Sequence, residues 1–128
     1  MDGNGTKSLG QIGEDLACEY LRDKGYRILN RNYRKPWGEI DIVTRAKDNT
    51  LVFAEVKTMV EAGDERIGPE DQMSAAKIEK FRRICRTFAA KNPELINERR
   101  GWRMDVVAID ANENINAKDW KIRHYENI

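Results

Sequence analysis

Hydrophobic and polar positions follow a helical period in some stretches of this chain, a strand period in others, and no period in one. Between about Leu9 and Lys24 the apolar residues Ile12, Leu16, Ala17, Tyr20 and Leu21 recur at helical spacing, and Gly25 stands where a left-handed C-terminal cap is wanted. An amphipathic helix is predicted there. Tyr26 through Tyr33, which mixes Ile28 and Leu29 with Arg27 and Arg31, reads as a first strand. The stretches Trp37–Val43 and Leu51–Lys57 are rich in Ile, Val and Phe, and Lys47-Asp48-Asn49 between them supplies turn chemistry, so a β-hairpin is expected. Thr58 to Gly68 has no periodicity and reads as a loop, either closing on a substrate or simply connecting. A second helix is expected from Pro69, suited to a first helical position, to about Asn92, with Met73, Phe81, Ile84, Cys85, Phe88 and Ala89 as its buried stripe. Trp102–Ile109 then predicts a strand and Trp120–Tyr125 a short last one. The order α-β-β-β-α-β-β implies a mixed α/β sheet with helices packed on it.

Length and composition narrow the reading. The 128 residues suit one domain, expected over 9–128 behind a flexible polar segment 1–8. With 35% charged residues and a net charge of +1, the chain lacks the overall basic excess of a protein that binds nucleic acid by charge alone. Any such contact must be a local patch. No apolar run has the length of a signal peptide or a membrane span, so a cytoplasmic protein with no membrane partner is expected. Cys18 and Cys85 fall in helical patterns and read as buried, reduced thiols. Together with His124, the only histidine, they cannot close a four-ligand zinc site without carboxylates. His124, near the chain end, reads as an edge residue rather than a base. There is no phosphate-binding loop, no dinucleotide glycine fingerprint and no nucleophile triad.

The charges inside the hairpin are the unusual feature. Side chains two apart in a strand share a face, so Glu39 projects with Asp41 and Glu55 with Lys57, while Ile40, Ile42, Val52, Ala54 and Val56 face the other way. Strand pairing would gather Asp41, Glu55 and Lys57. Carboxylates drawn from water are costly unless paired, hydrogen-bonded or metal-bound, and two held close repel each other. A hard divalent cation such as Mg²⁺ resolves both problems, because it takes one or two carboxylates together with water and phosphate oxygens. Phosphodiester chemistry is the function this arrangement points to.

Other charged residues carry two readings each. Glu14 lies on the flank of the first helix's apolar stripe, where spacing alone favours a solvated glutamate stabilised by the helix dipole. Arg31, Arg34 and Lys35 either guard an exposed strand edge or line a phosphate path. Lys77, in line with Phe81, Ile84 and Phe88, either snorkels or reaches a phosphate. Arg82, Arg83 and Arg86 read as a solvated helix surface in preference to a nucleic-acid contact, and Arg103 with Asp105 as a buried ion pair.

An acidic residue on one strand, Glu-x-Lys on the next, a preceding helix with Glu14 and a following helix and strand together resemble the PD-(D/E)XK, or restriction-endonuclease-like, nuclease superfamily. More closely, Gly13-Glu14 with Ala17, Gly25-Tyr26 with Arg31-Asn32-Tyr33-Arg34, Gly38-Glu39-Ile40-Asp41, Phe53-Ala54-Glu55-Val56-Lys57, Lys77 and Arg103-Met104-Asp105-Val106-Val107 resemble the small bacterial YraN-like proteins. The resemblance implies a restriction-endonuclease-like fold in which Asp41, Glu55 and the backbone carbonyl of Val56 bind Mg²⁺ or Mn²⁺. It further implies that Lys57 orients or activates the attacking water, and that Glu14 completes the metal site. Lys77 would contact phosphate, and Glu39 would be structural or a secondary ligand. One departure is that Thr58-Met59-Val60 stands where a basic residue is expected soon after Glu-x-Lys. The function expected is a metal-dependent endonuclease acting on DNA, including branched or otherwise structured DNA, with a symmetric dimer if both strands are cut. A non-catalytic nucleic-acid-binding or protein-interaction module with the same fold, and a purely structural ion-pair cluster, are the alternatives.

Overall fold

The computed structural model describes residues 7–60 and 73–128. Helix α1 (Leu9–Asp23) starts from a reciprocal cap: the Ser8 hydroxyl accepts the Gln11 N–H, and the Gln11 side chain accepts the Ser8 N–H. It stops at Gly25, whose φ of 92° lets the Gly25 N–H donate to the Arg22 carbonyl and the Tyr26 N–H to the Leu21 carbonyl, both at 2.9 Å. A residue with a side chain would be strained in that conformation.

Strands β1 (Arg27–Lys35), β2 (Gly38–Arg45), β3 (Leu51–Val60), β4 (Trp102–Ala111) and β5 (Lys121–Tyr125) form one sheet in sequence order. Neighbours are antiparallel except β3 and β4, which run parallel. A parallel pair needs a crossover connection, and the segment between these two strands carries helix α2 (Ala75–Lys91). The mixed α/β sheet and the order α-β-β-β-α-β-β are as the sequence predicts.

Consecutive residues of a strand face opposite sides of the sheet, and the core divides accordingly. Ala54, Val107 and Ile109 pack with Ala17, Cys18 and Leu21 of α1, whereas Phe53 and Met104 pack with Phe81, Ile84, Cys85 and Phe88 of α2. The two cysteines are buried free thiols in these separate layers, and burial raises the pKa of both.

Two expectations are corrected. Thr58, Met59 and Val60 belong to β3, paired with Ile109, Asp110 and Ala111 of β4, because the parallel partner continues beside them. The rest of the expected loop, 61–68, lies outside the described residues. Helix α2 begins at Ala75, since the Ser74 hydroxyl accepts the Lys77 N–H at 3.2 Å and makes Ser74 the N-cap. Met73 therefore precedes the helix, and Pro69 lies outside the described residues. His124 lies on edge strand β5 as expected, and its side chain is turned inward, 4% exposed, with Nε2 2.7 Å from the fully buried carboxylate of Asp105. The Arg103–Asp105 pair is found as expected, at 3.0 Å, and the Tyr26 hydroxyl accepts from the same guanidinium. Among the described residues no helix is long and apolar enough to cross a membrane.

Candidate metal centre

The centre is built where the ladder of the sheet is interrupted. Asn32 stands opposite Asp41 between the paired residues Arg31↔Ile42 and Tyr33↔Ile40, and has a left-handed backbone with φ of 56°. Asparagine tolerates that region better than most residues. On the other side of β2, regular pairing with β3 runs from Arg45↔Leu51 to Ile42↔Ala54. Beyond it the Asp41 side chain takes over, Oδ2 accepting the Val56 N–H at 2.7 Å. The side-to-side alternation slips at this point. Ile40 packs into the α2 layer and Ile42 into the α1 layer, which corrects the expectation that both share a face.

Helix α1 brings a third acid to Glu39 and Asp41. Gly13 makes the approach close: a Cβ there would collide with Thr58 Oγ1, so the α1 backbone rests directly on β3. The next residue, Glu14, is thereby carried to the acids, and Glu14, Glu39 and Asp41 each offer an oxygen within 4.8 Å of the others. The solvated reading of Glu14 gives way to this one. The same contact explains Thr58 after Glu-x-Lys, because its side chain is directed at α1, where a long basic chain would not fit.

Cations partly compensate the acids. Arg31 lies 2.9 Å from Asp15 and 3.6 Å from Glu14, and Arg34 lies 3.0 Å from Glu39. Asn32, with its amide nitrogen turned inward, donates to Glu14 Oε1 at 3.1 Å and to Glu39 Oε2 at 3.3 Å. Glu55 stands apart from the trio, paired with Lys57 Nζ at 3.1 Å. Asp41 remains under-compensated. Burial, then the negative charge of Glu55, then Glu14 and Glu39, push its pKa up to about 8 against the opposing Val56 N–H bond.

Asp41, Glu55 and Val56 open into a cleft of about 550 Å³. Its rim carries Arg34 and Lys35 at the end of β1, Lys57 on β3, and Lys77 and Lys80 on α2, with Phe81 and Ile84 as its apolar wall. Gly38 admits that wall, since a Cβ there would stand 3.2 Å from Ile84 Cδ1. Of the candidate phosphate contacts, Arg34, Lys35 and Lys77 line the cleft, whereas Arg31 is turned to Asp15 and Glu14. In the sequence, Gly13 and Asn32 figure only in the family resemblance, with no role at the site, and Lys80 does not figure at all. A signal existed for Lys80, which stands three residues from Lys77 on the same helix and so on a neighbouring part of its surface.

A family profile, that of the Uncharacterised protein family UPF0102, matches residues 13–109, a span that holds the acid trio, the Glu55–Lys57 pair and the cleft. The chain belongs to this family. Its relatives include a UPF0102 protein of Alkaliphilus oremlandii, 38% identical over 95% of this chain and 97% of its own. Another, of Fervidobacterium nodosum, is 36% identical over 96% of this chain and 83% of its own. A third, of Syntrophotalea carbinolica, is 42% identical over 80% and 78% respectively. The acids of the trio and Glu55 offer only carboxylate oxygens, a donor set that suits a hard cation of the Mg²⁺ or Mn²⁺ type rather than zinc. A cation would also relieve the repulsion that keeps Asp41 protonated, so the residues fit such an ion.

Proposed function

We propose that this protein is a metal-dependent endonuclease of the PD-(D/E)XK type that hydrolyses phosphodiester bonds in DNA. The observation that carries the reading is Asp41, its pKa raised to about 8 beside Glu14, Glu39 and Glu55 at the floor of a cleft rimmed by basic side chains. An acidic floor beneath a basic rim is what a phosphate and its counter-cation both require. Asp41 would hold the ion together with Glu14 and Glu39 on the α1 side, and with Glu55 and the Val56 carbonyl on β3. When bound, Mg²⁺ or Mn²⁺ supplies charge neutralisation and polarisation at the phosphate.

The remaining steps fall to the chain. Lys57, 3.1 Å from Glu55, exchanges that partner for the scissile phosphate and orients the attacking water. Arg34, Lys35 and Lys77 hold flanking phosphates against the rim. The test is cleavage of branched, single-stranded and duplex DNA with Mn²⁺, comparing the protein with Asp41→Asn and Lys57→Ala. Each substitution is expected to lower the rate by about 100-fold or more, in line with losing a principal electrostatic group. Cleavage that survives both changes would overturn the proposal. DNA binding without cleavage, together with no heat of Mn²⁺ binding, would instead favour a non-catalytic module.

A further inference from the structure

The charge of this chain is unevenly placed. Helix α2 carries six of the 23 basic residues and one of the 22 acidic ones, although the whole chain is only +1. The remainder is therefore net acidic. Part of this charge belongs to the cleft, through Lys77 and Lys80. The rest continues outward: Lys80 also lines a second, shallow depression together with Glu79, Arg83, Arg86 and Thr87. Lys80 joins the two.

Arg83 is held in place. Its guanidinium lies 4.4 Å from the ring centroid of Trp37, which is anchored in the α2-side core beside the β1–β2 turn. A cation stacked on an indole keeps its charge while losing little freedom on binding, and it offers its other face to a base or a phosphate. Arg86 lies 3.8 Å from Glu79, which also pairs with Arg82 at 3.0 Å. All of these ion pairs are exposed at one end or both, so each is weak and exchangeable for a phosphate.

We infer that the outer face of α2, from Lys80 through Arg83 to Arg86, takes the phosphates of a nucleic-acid strand as it leaves the cleft. This inference rests on the nuclease reading for the direction of the strand, but it concerns a different surface. At 1.5 Å per residue the face from Lys80 to Arg86 is about 9 Å long, close to the rise of roughly three nucleotides. The substrate is thus a polynucleotide that extends on one side of the scissile bond. A nucleotide or a chain end is too short to use the track.

The experiment is fluorescence anisotropy with a duplex of about 20 base pairs in EDTA, titrated across salt concentrations, on the wild-type protein, Arg83→Ala/Arg86→Ala and Glu79→Ala. Each lost phosphate contact lowers the salt slope by about 0.9. The double variant is expected to bind about tenfold more weakly at low salt with a slope smaller by about 2, and Glu79→Ala to bind about two- to threefold more tightly. The opposite sign guards against a general loss of fold, and thermal melts check it directly. Unchanged affinity and slope in both variants, or a wild type that binds no DNA, would overturn the track. Cleavage by wild type in Mn²⁺ is read separately: a protein that binds through the track and cuts nothing overturns the nuclease reading and leaves this one standing.

Discussion

An ordinary aspartate loses its proton near pH 4, whereas Asp41, drawn out of water beside Glu55, holds one up to about 8. Because the folded value is raised, the group favours the folded state fully below its usual 3.8, and that contribution is lost as pH rises through 8. At neutral pH the site therefore costs stability unless a cation is present. Asparagine keeps an acceptor for the Val56 N–H and removes the titration. Asp41→Asn is accordingly expected to raise the stability of the metal-free protein at pH 7 by roughly 1–3 kcal/mol, several degrees in a thermal melt. The gain should shrink toward pH 5, where the folded wild-type carboxyl stays protonated and the aspartate of the unfolded chain begins to take up its proton too. Mn²⁺ should stabilise the wild type and leave the variant unmoved. A variant that melts lower than wild type at pH 7 would show that the carboxylate is already compensated without an ion.

Elements place these residues, and they were unequally legible in the sequence. Helix α1 and its Gly25 cap follow from apolar spacing and one glycine, because both are local. The start of α2 is not legible in the same way, since Pro69 suits a first helical position whereas Ser74 supplies the cap that is used. Ile40 and Ile42 could not be assigned to different faces from alternation alone: the slip depends on Asn32 and Asp41 meeting across two strands. Glu14 was legible as a site residue only through family resemblance, because its approach depends on Gly13 meeting Thr58. That contact makes a prediction about the α1–β3 packing. Gly13→Ala must push the helix off the strand, at a cost of about 1–3 kcal/mol for overpacking, and carry Glu14 away from Glu39 and Asp41. Calorimetry should show Mn²⁺ affinity falling with the melting temperature, and Thr58→Ala in the same chain should restore part of both. Loss of stability with unaltered Mn²⁺ affinity would remove Glu14 from the site.

Across the whole molecule, the end of the chain is tied to the sheet through one buried carboxylate remote in role from the cleft. Asp105 is fully buried and receives bonds from Arg103 at 3.0 Å, the Asn127 N–H at 3.0 Å and the His124 ring, whose Nε2 is 2.7 Å away. The other ring nitrogen of His124, Nδ1, is buried without a hydrogen-bond partner. The Ile128 N–H then closes onto the Met104 carbonyl at 2.8 Å. Burial by itself would raise the pKa of Asp105, but the bonds from His124, Arg103 and Asn127 outweigh it and hold the carboxyl below its usual 3.8. A depressed folded value means that the contribution to stability is complete above the unfolded pKa and is lost as pH falls through the folded one. Acid unfolding should therefore set in below about pH 4, starting at β5 and the C-terminus. Asp105→Asn keeps the shape but removes the carboxylate that holds the largely buried Arg103 and His124, leaving Arg103 the exposed Glu126 at 3.4 Å as its counter-charge. It is expected to cost about 3–5 kcal/mol at pH 7 and to flatten the acid limb of the stability curve. Hydrogen exchange at pH 3 should show the β5 amides opening before those of β3. Equal protection of the two strands there, or an unaltered acid limb in the variant, would place the acid-sensitive group elsewhere.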